Sequence, residues 1–316
     1  MRGLGKIILF GEHAVVYGYP ALATSIETGI DCIVQDADSK EFHLSIPAWN
    51  LEVTPNDSIT IAQVMQVIQN ELGQPLCSLL VKPNMPSRAG LGSSAAFSTA
   101  IIKTLLEFQK KTWTLEQIND LAYKAETIFH GTPSGIDNTV ANYGGFCYLC
   151  DTQKYSFPTQ YILKTISLPR GNAFLLPPLK NSPSFILINT EKERETKEIV
   201  SHVRNLLQKN PQQIESIMQK IGDLSLLGYE ALLQEDYKTL AQLMNENQEY
   251  LRSLDVSCPE IENVIDCAMK AGAWGAKLTG AGRGGCVIIF APGHEQDVLA
   301  ECQKNKFPAF ITKIGV

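Results

Sequence analysis

A run of glycine and serine that leads directly into an apolar segment constrains this chain more than any other feature. It reads Ala89-Gly-Leu-Gly-Ser-Ser-Ala-Ala96, and Phe97, Ile101 and Leu105 continue it at helical spacing. Glycine permits positive φ and close backbone approach, and the first amides of a helix have no intrahelical acceptor. With the helix dipole, these amides form an anion site that suits phosphate. The plainer alternative is a tight turn with a serine N-cap.

The same loop differs from the two best-known nucleotide-binding patterns. The Walker pattern G-x-x-x-x-G-K-[ST] is absent from the sequence. Residues Gly90 to Ala95 match the loose dinucleotide pattern G-x-G-x-x-A, but no acidic residue follows about 20 positions later at a strand end. The hydroxyls of Ser93 and Ser94 can still reach a phosphate oxygen or a metal ion from the first helical turn. We therefore expect a phosphate-binding loop of another kind.

A second stretch places two carboxylates around a glycine-proline turn. A capping box at Thr114 and Gln117 predicts the start of a helix that ends at Gly131. Glu126 and His130 share one face of this helix, and Asp137 follows in the first turn of the next helix. One acid can hold a cation while the other orients or deprotonates a hydroxyl. As an alternative, Ser134 caps the second helix and Asp137 complements its dipole. A zinc site on Glu126 and His130 would need a third ligand, to which the sequence does not point.

A third stretch, Lys277-Leu-Thr-Gly-Ala-Gly-Arg-Gly-Gly-Cys286, contains four glycines within six positions. A plain β-hairpin is the simplest interpretation, but a hairpin turn needs only two residues of special conformation. So many glycines indicate close approach of the backbone to another group. We expect this loop to pack against a phosphate site.

The chain of 316 residues is long enough for about two domains. Strand patterns open the first half, whereas four long helical patterns dominate the second. A cluster of Asn, Pro and Gly around residues 172–184 shows no periodicity and separates the strand-rich half from the helix-rich half. We therefore predict an N-terminal mixed α/β domain over residues 1–178 and a C-terminal, helix-rich α+β domain over residues 179–316.

Charge and hydropathy exclude several classes of partner. The net charge is −6 and no run of Lys and Arg interrupts it, so no nucleic-acid partner is expected. No apolar segment approaches the roughly 18 residues of a membrane span, and the apolar run at 7–10 is too short for a signal-peptide core. We expect no membrane association and a cytoplasmic location. Cys147 and Cys150 lack a second ligand pair, so they are interpreted as strand residues rather than a zinc or redox site.

Together with a fourth stretch near the N-terminus, these motifs resemble the GHMP kinases. The fourth stretch runs from Gly5-Lys6 through Gly11-Glu12-His13 to Gly18, and each of its polar residues alone would be ordinary at a strand end. Galactokinases continue the same Gly-Glu-His with Thr-Asp-Tyr, whereas this chain has Ala-Val-Val, which is similar to the mevalonate kinase branch. The resemblance covers nearly the whole chain. It implies the family's two-domain α+β architecture, with the active site in the cleft between the domains.

The resemblance also implies an activity, namely ATP-dependent phosphorylation of the 5-hydroxyl of mevalonate with Mg²⁺ as cofactor. Asp137 is then the catalytic base, and Lys6 stabilises charge on the hydroxyl. Ser94 and Glu126 hold the Mg²⁺. The resemblance assigns ATP binding to Gly90, Leu91, Gly92, Ser93, Ser94 and Ala95. It assigns mevalonate binding to Lys6, Glu12, His13, Asp137, Arg194 and Thr196, and closure of the site to a loop of Gly280, Ala281 and Gly282. Arg194 is a candidate partner for the mevalonate carboxylate.

The chain departs from the family pattern at two positions. Leu4 stands where the family usually has Pro before Gly-Lys, and Arg88 stands before Ala89-Gly90 where a small residue is usual. Neither change removes a catalytic group, but Arg88 adds a cation beside the predicted phosphate loop.

Two other functions stay open at this point. Another small-molecule kinase of the superfamily, such as a phosphomevalonate or homoserine kinase, would have similar phosphate loops, although homoserine kinases commonly lack a base equivalent to Asp137. A catalytically silent nucleotide or metabolite sensor would be expected to lose Lys6, Glu126 or Asp137, and all three are present. Members of the family are often dimers, so a homodimer is one expected arrangement, while the sequence leaves the oligomeric state open.

Overall fold

The computed structural model describes residues 1–86, 89–169, 171–192 and 195–316. The helices are α1 (Thr60–Leu72), α2 (Ser93–Phe108), α3 (Leu115–His130), α4 (Ile136–Tyr143), α5 (Thr196–Lys209), α6 (Pro211–Leu233), α7 (Tyr237–Ser253), α8 (Pro259–Lys270) and α9 (Glu295–Lys304). The strands are β1 (Arg2–Phe10), β2 (Ala21–Asp36), β3 (His43–Ile46), β4 (Leu51–Val53), β5 (Ser78–Pro83), β6 (Phe146–Cys150), β7 (Lys164–Leu168), β8 (Gly171–Leu176), β9 (Ser184–Asn189), β10 (Gly275–Leu278), β11 (Cys286–Phe290) and β12 (Ala309–Lys313). The architecture is α+β, as predicted.

The described chain divides into two units that are discontinuous in sequence. One contains α1 to α4, β3 to β5 and parts of β1 and β2, and the other contains the rest of β1 and β2 and everything from β6 onward. Both long strands therefore contribute to both units. The division predicted at residues 178 and 179 stays a prediction.

In the first unit, helix α2 is the central element. Most of its residues are buried, including polar Ser98 and Thr99 as well as the apolar positions. The strand β1 lies directly against it, because a Cβ added at Gly3 would lie 1.9 Å from the backbone oxygen of Ala96. Only glycine permits this separation. The contact sets the position of β1 relative to the start of α2, where the glycine-serine loop ends.

The first unit contains a group of paired strands that includes the second half of β2. This half pairs antiparallel with β5, which pairs in parallel with β3, and β4 completes the edge. Helix α3 packs against α1, α2 and α4. A capping box at Thr114 and Gln117 begins α3 and Gly131 ends it, both as the sequence predicts.

The second unit contains two groups of strands and the long helices. The first half of β2 pairs with β6, followed by β8 and β7. A separate antiparallel sheet has the order β10-β11-β9-β12. Helices α5 to α9 supply a large apolar cluster with β9, β10 and β11. Cys147 and Cys150 are buried on β6, which confirms them as strand residues.

One prediction about the chain's organisation is wrong. The cluster at 172–184, interpreted as irregular, contains most of strand β8. Its apolar run Ala-Phe-Leu-Leu is too short to show periodicity, and pairing with both β6 and β7 makes it a strand. Among the described residues, no helix combines the length and the apolar character needed to cross a bilayer.

Candidate active site

Lys6 and Asp137 form an ion pair in the first unit. The Lys6 Nζ lies 2.6 Å from Asp137 Oδ1, with the lysine side chain 9% exposed and the aspartate side chain 36% exposed. Asp137 lies in the first turn of α4, whose N-cap is Gly135 in the left-handed conformation. The amides at a helix start favour a negative charge there. The pair therefore places a carboxylate with partial access to solvent beside a nearly buried ammonium group.

The start of α2 lies next to this pair. Gly92 is the N-cap, with φ of 71°, and a Cβ added there would lie 3.4 Å from Lys6 Cβ and 3.9 Å from Asp137 Oδ1. No side chain caps the helix. The serine N-cap considered from the sequence is thus not formed, and the first-turn amides keep their capacity to bind an anion. Gly90, with φ of 80°, is a second residue of positive φ in this loop.

Ser94 connects this helix start to Glu126 and His130 on α3. The Ser94 Oγ donates to Glu126 Oε2 at 3.1 Å and also lies 3.1 Å from His130 Nε2. The two α3 side chains share one face, as their spacing predicts, and approach to 3.6 Å. Glu126 is fully buried, whereas the His130 side chain is 54% exposed. A hydroxyl, a carboxyl and an imidazole therefore converge at the first turn of α2.

The environment of Glu126 disfavours its charged form. Burial, reinforced by the negative charge of Asp137, raises the pKa of Glu126 to about 8, and Ser94 and Lys6 only partly oppose this. The second carboxyl oxygen, Oε1, is buried without a hydrogen-bond partner among the described residues. A cation bound there would satisfy this oxygen and stabilise the carboxylate.

The donor set suits Mg²⁺ that arrives with phosphate. Ser94 Oγ and Glu126 provide hard oxygen ligands, and Mg²⁺ commonly uses one or two protein ligands together with substrate phosphates. The residues therefore fit a metal that shares its coordination with a nucleotide.

In the second unit, Glu12 lies in a buried polar cluster. Its Oε1 accepts from Lys277 Nζ, and its Oε2 accepts from Asn247 Nδ2 at 3.0 Å. Both members of the ion pair are completely buried. Burial lowers the pKa of Lys277, and the charge of Glu12 opposes that effect. The arrangement ties the turn after β1 to β10 and α7.

The third glycine-rich stretch connects β10 to β11. The His13 Nε2 lies 2.8 Å from the backbone oxygen of Ala281, so the ring donates to this loop. His13 itself has φ of 61°, in the left-handed region. The loop start is also held to β1, because Thr279 Oγ1 accepts from the Ile8 amide at 3.0 Å and donates to the Ile8 carbonyl at 2.9 Å.

The structure thus brings some of the predicted site residues together. The first unit contains one group, consisting of Lys6, Gly92, Ser94, Glu126 and Asp137. In the second unit His13 contacts the Gly280–Gly282 loop, while Glu12 is engaged by other side chains. The roles assigned to these residues from the sequence stay predictions.

Three residues named from the sequence belong to neither of these groups. Thr196 is exposed as the first residue of α5, and no hydrogen bond between described residues joins it to the groups above. Arg194, the candidate carboxylate partner, and Arg88, the additional cation, lie outside the described residues.

Asn247 was not among the residues predicted from the sequence. This residue is completely buried on α7, in line with Leu240, Met244 and Leu251 at helical spacing. A polar residue within an otherwise apolar stripe is a signal for a buried hydrogen bond, because an unpaired amide would be costly there. That signal was available in the sequence, although it could not identify Glu12 as the partner.

Comparison with known proteins gives one consistent family. Residues 60–145 match the model for the GHMP kinase N-terminal domain, and residues 229–309 match the model for the GHMP kinase C-terminal domain. A mevalonate kinase from Pyrococcus abyssi is 30% identical over 98% of this chain and 93% of its own length. The crystal structure of L. major mevalonate kinase in complex with R-mevalonate superposes with a TM-score of 0.82 at 27% identity, covering 99% of this chain and 94% of that chain. The Methanococcus jannaschii mevalonate kinase structure gives a TM-score of 0.80 at 25% identity, covering 99% and 97%.

Proposed function

This chain belongs to the GHMP kinases, and from that premise we propose that it transfers the γ-phosphoryl group of ATP to the 5-hydroxyl of mevalonate, giving 5-phosphomevalonate in isoprenoid synthesis. Its curated relatives named mevalonate kinase match along nearly the full length of the chain. The observation that carries the proposal at the level of chemistry is the Lys6–Asp137 pair beside the uncapped start of α2. A base, a cation and an anion site lie together there.

Asp137 is the proposed base. Its carboxylate accepts the proton of the mevalonate 5-hydroxyl as the hydroxyl oxygen attacks the γ-phosphorus and ADP leaves. Lys6 stabilises the negative charge that develops on that oxygen, and its 2.6 Å contact with Asp137 keeps both groups in place before substrate binds. Positioning and charge neutralisation supply most of the rate in phosphoryl transfer.

The start of α2 is the proposed phosphate site. The loop Gly90–Ala95 presents backbone amides, and its two glycines adopt conformations that allow close approach of the triphosphate. Ser94 and Glu126 would hold Mg²⁺, which would neutralise negative charge on the phosphate oxygens. The orphaned Oε1 of Glu126 supports this assignment.

Other parts of the proposal rest on the family resemblance. They comprise substrate contacts from Glu12, His13, Arg194 and Thr196, closure by the loop Gly280–Gly282, a cytoplasmic location and assembly as a homodimer. For Glu12, the buried pair with Lys277 supports an additional task, namely holding the turn that carries His13.

The test is an ADP-release assay with Mg²⁺-ATP and four acceptors, namely mevalonate, phosphomevalonate, homoserine and galactose. We expect turnover on mevalonate alone, reduced at least about a thousandfold in Asp137→Ala because the base is lost. Asp120→Ala, which removes an exposed carboxylate from α3, is the matched control and should retain wild-type turnover.

Each alternative gives a different result in the same assay. Turnover on phosphomevalonate or homoserine instead would reassign the substrate within the superfamily. ATP binding without turnover on any acceptor would indicate a sensor. Full activity of Asp137→Ala on mevalonate would refute the assignment of the base while leaving the substrate intact.

A further inference from the structure

Arg283 is the exception in the third glycine-rich stretch. Its neighbours Gly280, Gly282, Gly284 and Gly285 all have positive φ, between 75° and 136°. Arg283 also has positive φ, at 51°, although an L-residue with a side chain is disfavoured there because its Cβ approaches a carbonyl oxygen. Glycine would adopt the same conformation without this cost. The contacts of the arginine side chain are what distinguish this residue from a glycine at the same position.

The side chain holds the loop to the turn between α7 and α8. Arg283 Nε donates to the Asp255 backbone oxygen at 3.0 Å, and Nη2 donates to Asp255 Oδ2 at 2.6 Å. The backbone amide of Arg283 donates to the Val256 oxygen at 2.6 Å. Nε2 of His202, on α5, lies 3.0 Å from the same Oδ2 and 3.1 Å from Nη2. Asp255 has φ of 55°, so both partners maintain strained backbone conformations.

The glycines on either side of Arg283 lie in close contact with two other segments of the chain, at Val256 and at Lys192. A Cβ added at Gly282 would lie 2.1 Å from the Val256 oxygen, and one added at Gly284 would lie 2.7 Å from the Lys192 oxygen. The Gly285 carbonyl accepts from both the amide and the hydroxyl of Thr190, each at 2.9 Å. The loop is therefore packed and bonded along its length, with His13 holding Ala281 at its other end.

From this geometry we propose that Arg283 and Asp255 are positioning residues for phosphoryl transfer. The contacts among Arg283, Asp255 and His202 form a clamp. This clamp fixes the backbone of Gly280–Gly282 before the substrates bind, so the loop does not have to be ordered during the reaction. This inference rests on the proposed function, in which that loop closes the active site. Neither residue is assigned a contact with substrate.

The clamp is a positioning device rather than a source of global stability. The Arg283 side chain is 38% exposed and that of Asp255 is 67% exposed. Ion pairs this exposed contribute little to unfolding free energy. Replacement of Arg283 by glycine also relieves the backbone strain. We therefore expect Arg283→Gly to keep its thermal midpoint within about 2 °C of wild type.

The kinetic test separates positioning from folding. We expect Arg283→Gly to lower kcat for mevalonate about tenfold, with KM changed less than about twofold, because substrates still bind but the loop is no longer preorganised. Asp255→Asn should give a smaller fall, because Arg283 Nε can still donate to the backbone oxygen of residue 255. The double variant should be no worse than Arg283→Gly alone, since without the guanidinium the Asp255 side chain has no contact with residue 283 left to lose. Arg283→Lys keeps the charge but loses the forked geometry, so we expect an intermediate loss of about threefold.

The matched control is Arg2→Lys. Arg2 makes a comparable forked pair with Asp31, with Nε at 2.7 Å and Nη2 at 2.9 Å from its carboxylate oxygens, in the first unit. Its replacement should leave kcat unchanged. A fall in kcat for Arg2→Lys equal to that of Arg283→Lys would overturn the proposal, because loss of any surface pair would then suffice.

Hydrogen exchange tests the clamp without depending on activity. We expect the amides of residues 280–286 to exchange about tenfold faster in Arg283→Gly than in wild type, while those of α2 are unchanged. Unchanged exchange, unchanged kcat or additive losses in the double variant would each refute the clamp. Absence of mevalonate turnover in the wild-type protein would instead refute the proposed function, and the exchange result would still decide whether the clamp exists.

Discussion

Replacement of Glu126 by glutamine should stabilise the ligand-free protein while abolishing its activity. Glu126 is fully buried, and its surroundings raise the pKa of its carboxyl from an ordinary 4.5 to about 8. Between these values the unfolded chain ionises and the folded chain does not, so wild-type stability falls as pH rises. At pH 7 the loss corresponds to the interval from 4.5 to 7, or about 3 kcal/mol.

Glutamine has the same shape and does not ionise, so Glu126→Gln should escape this loss. We expect it to be more stable than wild type by about 3 kcal/mol at pH 7 and by about 5 kcal/mol above pH 8, with no difference below pH 4.5. In a thermal melt at pH 7 without nucleotide, the midpoint should rise by about 5 °C. Glu107→Gln, an exposed position on α2, serves as the control for replacing a glutamate by glutamine in a helix.

The same variant should lose its response to Mg²⁺-ATP. Wild type should be stabilised when Mg²⁺ and ATP are added together, because binding to the folded state shifts the unfolding equilibrium. Glu126→Gln should show a smaller shift and a kcat reduced at least a hundredfold, since a neutral amide is a poor Mg²⁺ ligand. A Glu126→Gln protein less stable than wild type at pH 7 would refute the reasoning, because the carboxyl would then be ionised and favourably paired.

Three further variants test the packing that supports the site. Gly3→Ala should lower the thermal midpoint by the equivalent of about 1–3 kcal/mol, because its Cβ would overlap the Ala96 carbonyl, and a melt unchanged from wild type would contradict the close approach of β1 to α2. Lys277→Met should cost about 3–5 kcal/mol by leaving Glu12 as an unpaired buried charge, and addition of Glu12→Gln should recover most of that loss in a denaturant titration. Thr114→Ala should cost about 1 kcal/mol by removing the capping box of α3, measured in the same titration, with no change in kcat.

Local features of the fold were predictable because they depend on neighbours in sequence. The capping box at Thr114 and the helix stop at Gly131 form as expected, since each needs only residues within one or two turns. The glycine-serine loop likewise begins a helix, although Gly92 rather than a serine is its N-cap. Strand β8 was missed because its identity comes from pairing with β6 and β7, and its own pattern is too short to show a period.

The chemistry of the site also has a part that depends on neighbours in sequence and a part that depends on packing. The sequence by itself determined which residue types are available, namely a glycine-rich helix start for phosphate, two carboxylates around a turn and a lysine on the first strand. Those are properties of short segments, and backbone conformation there follows from local sterics. The resemblance to a family could then be stated from four such segments.

Only the tertiary structure decided how these groups act on one another. It places Lys6 against Asp137, buries Glu126 so that its pKa rises to about 8, and pairs Glu12 with Lys277, which lies 265 positions away. It also positions the Arg283 guanidinium on Asp255. Electrostatic interaction depends on distance and on exclusion of water, and for residues this far apart in the chain both quantities are set by packing.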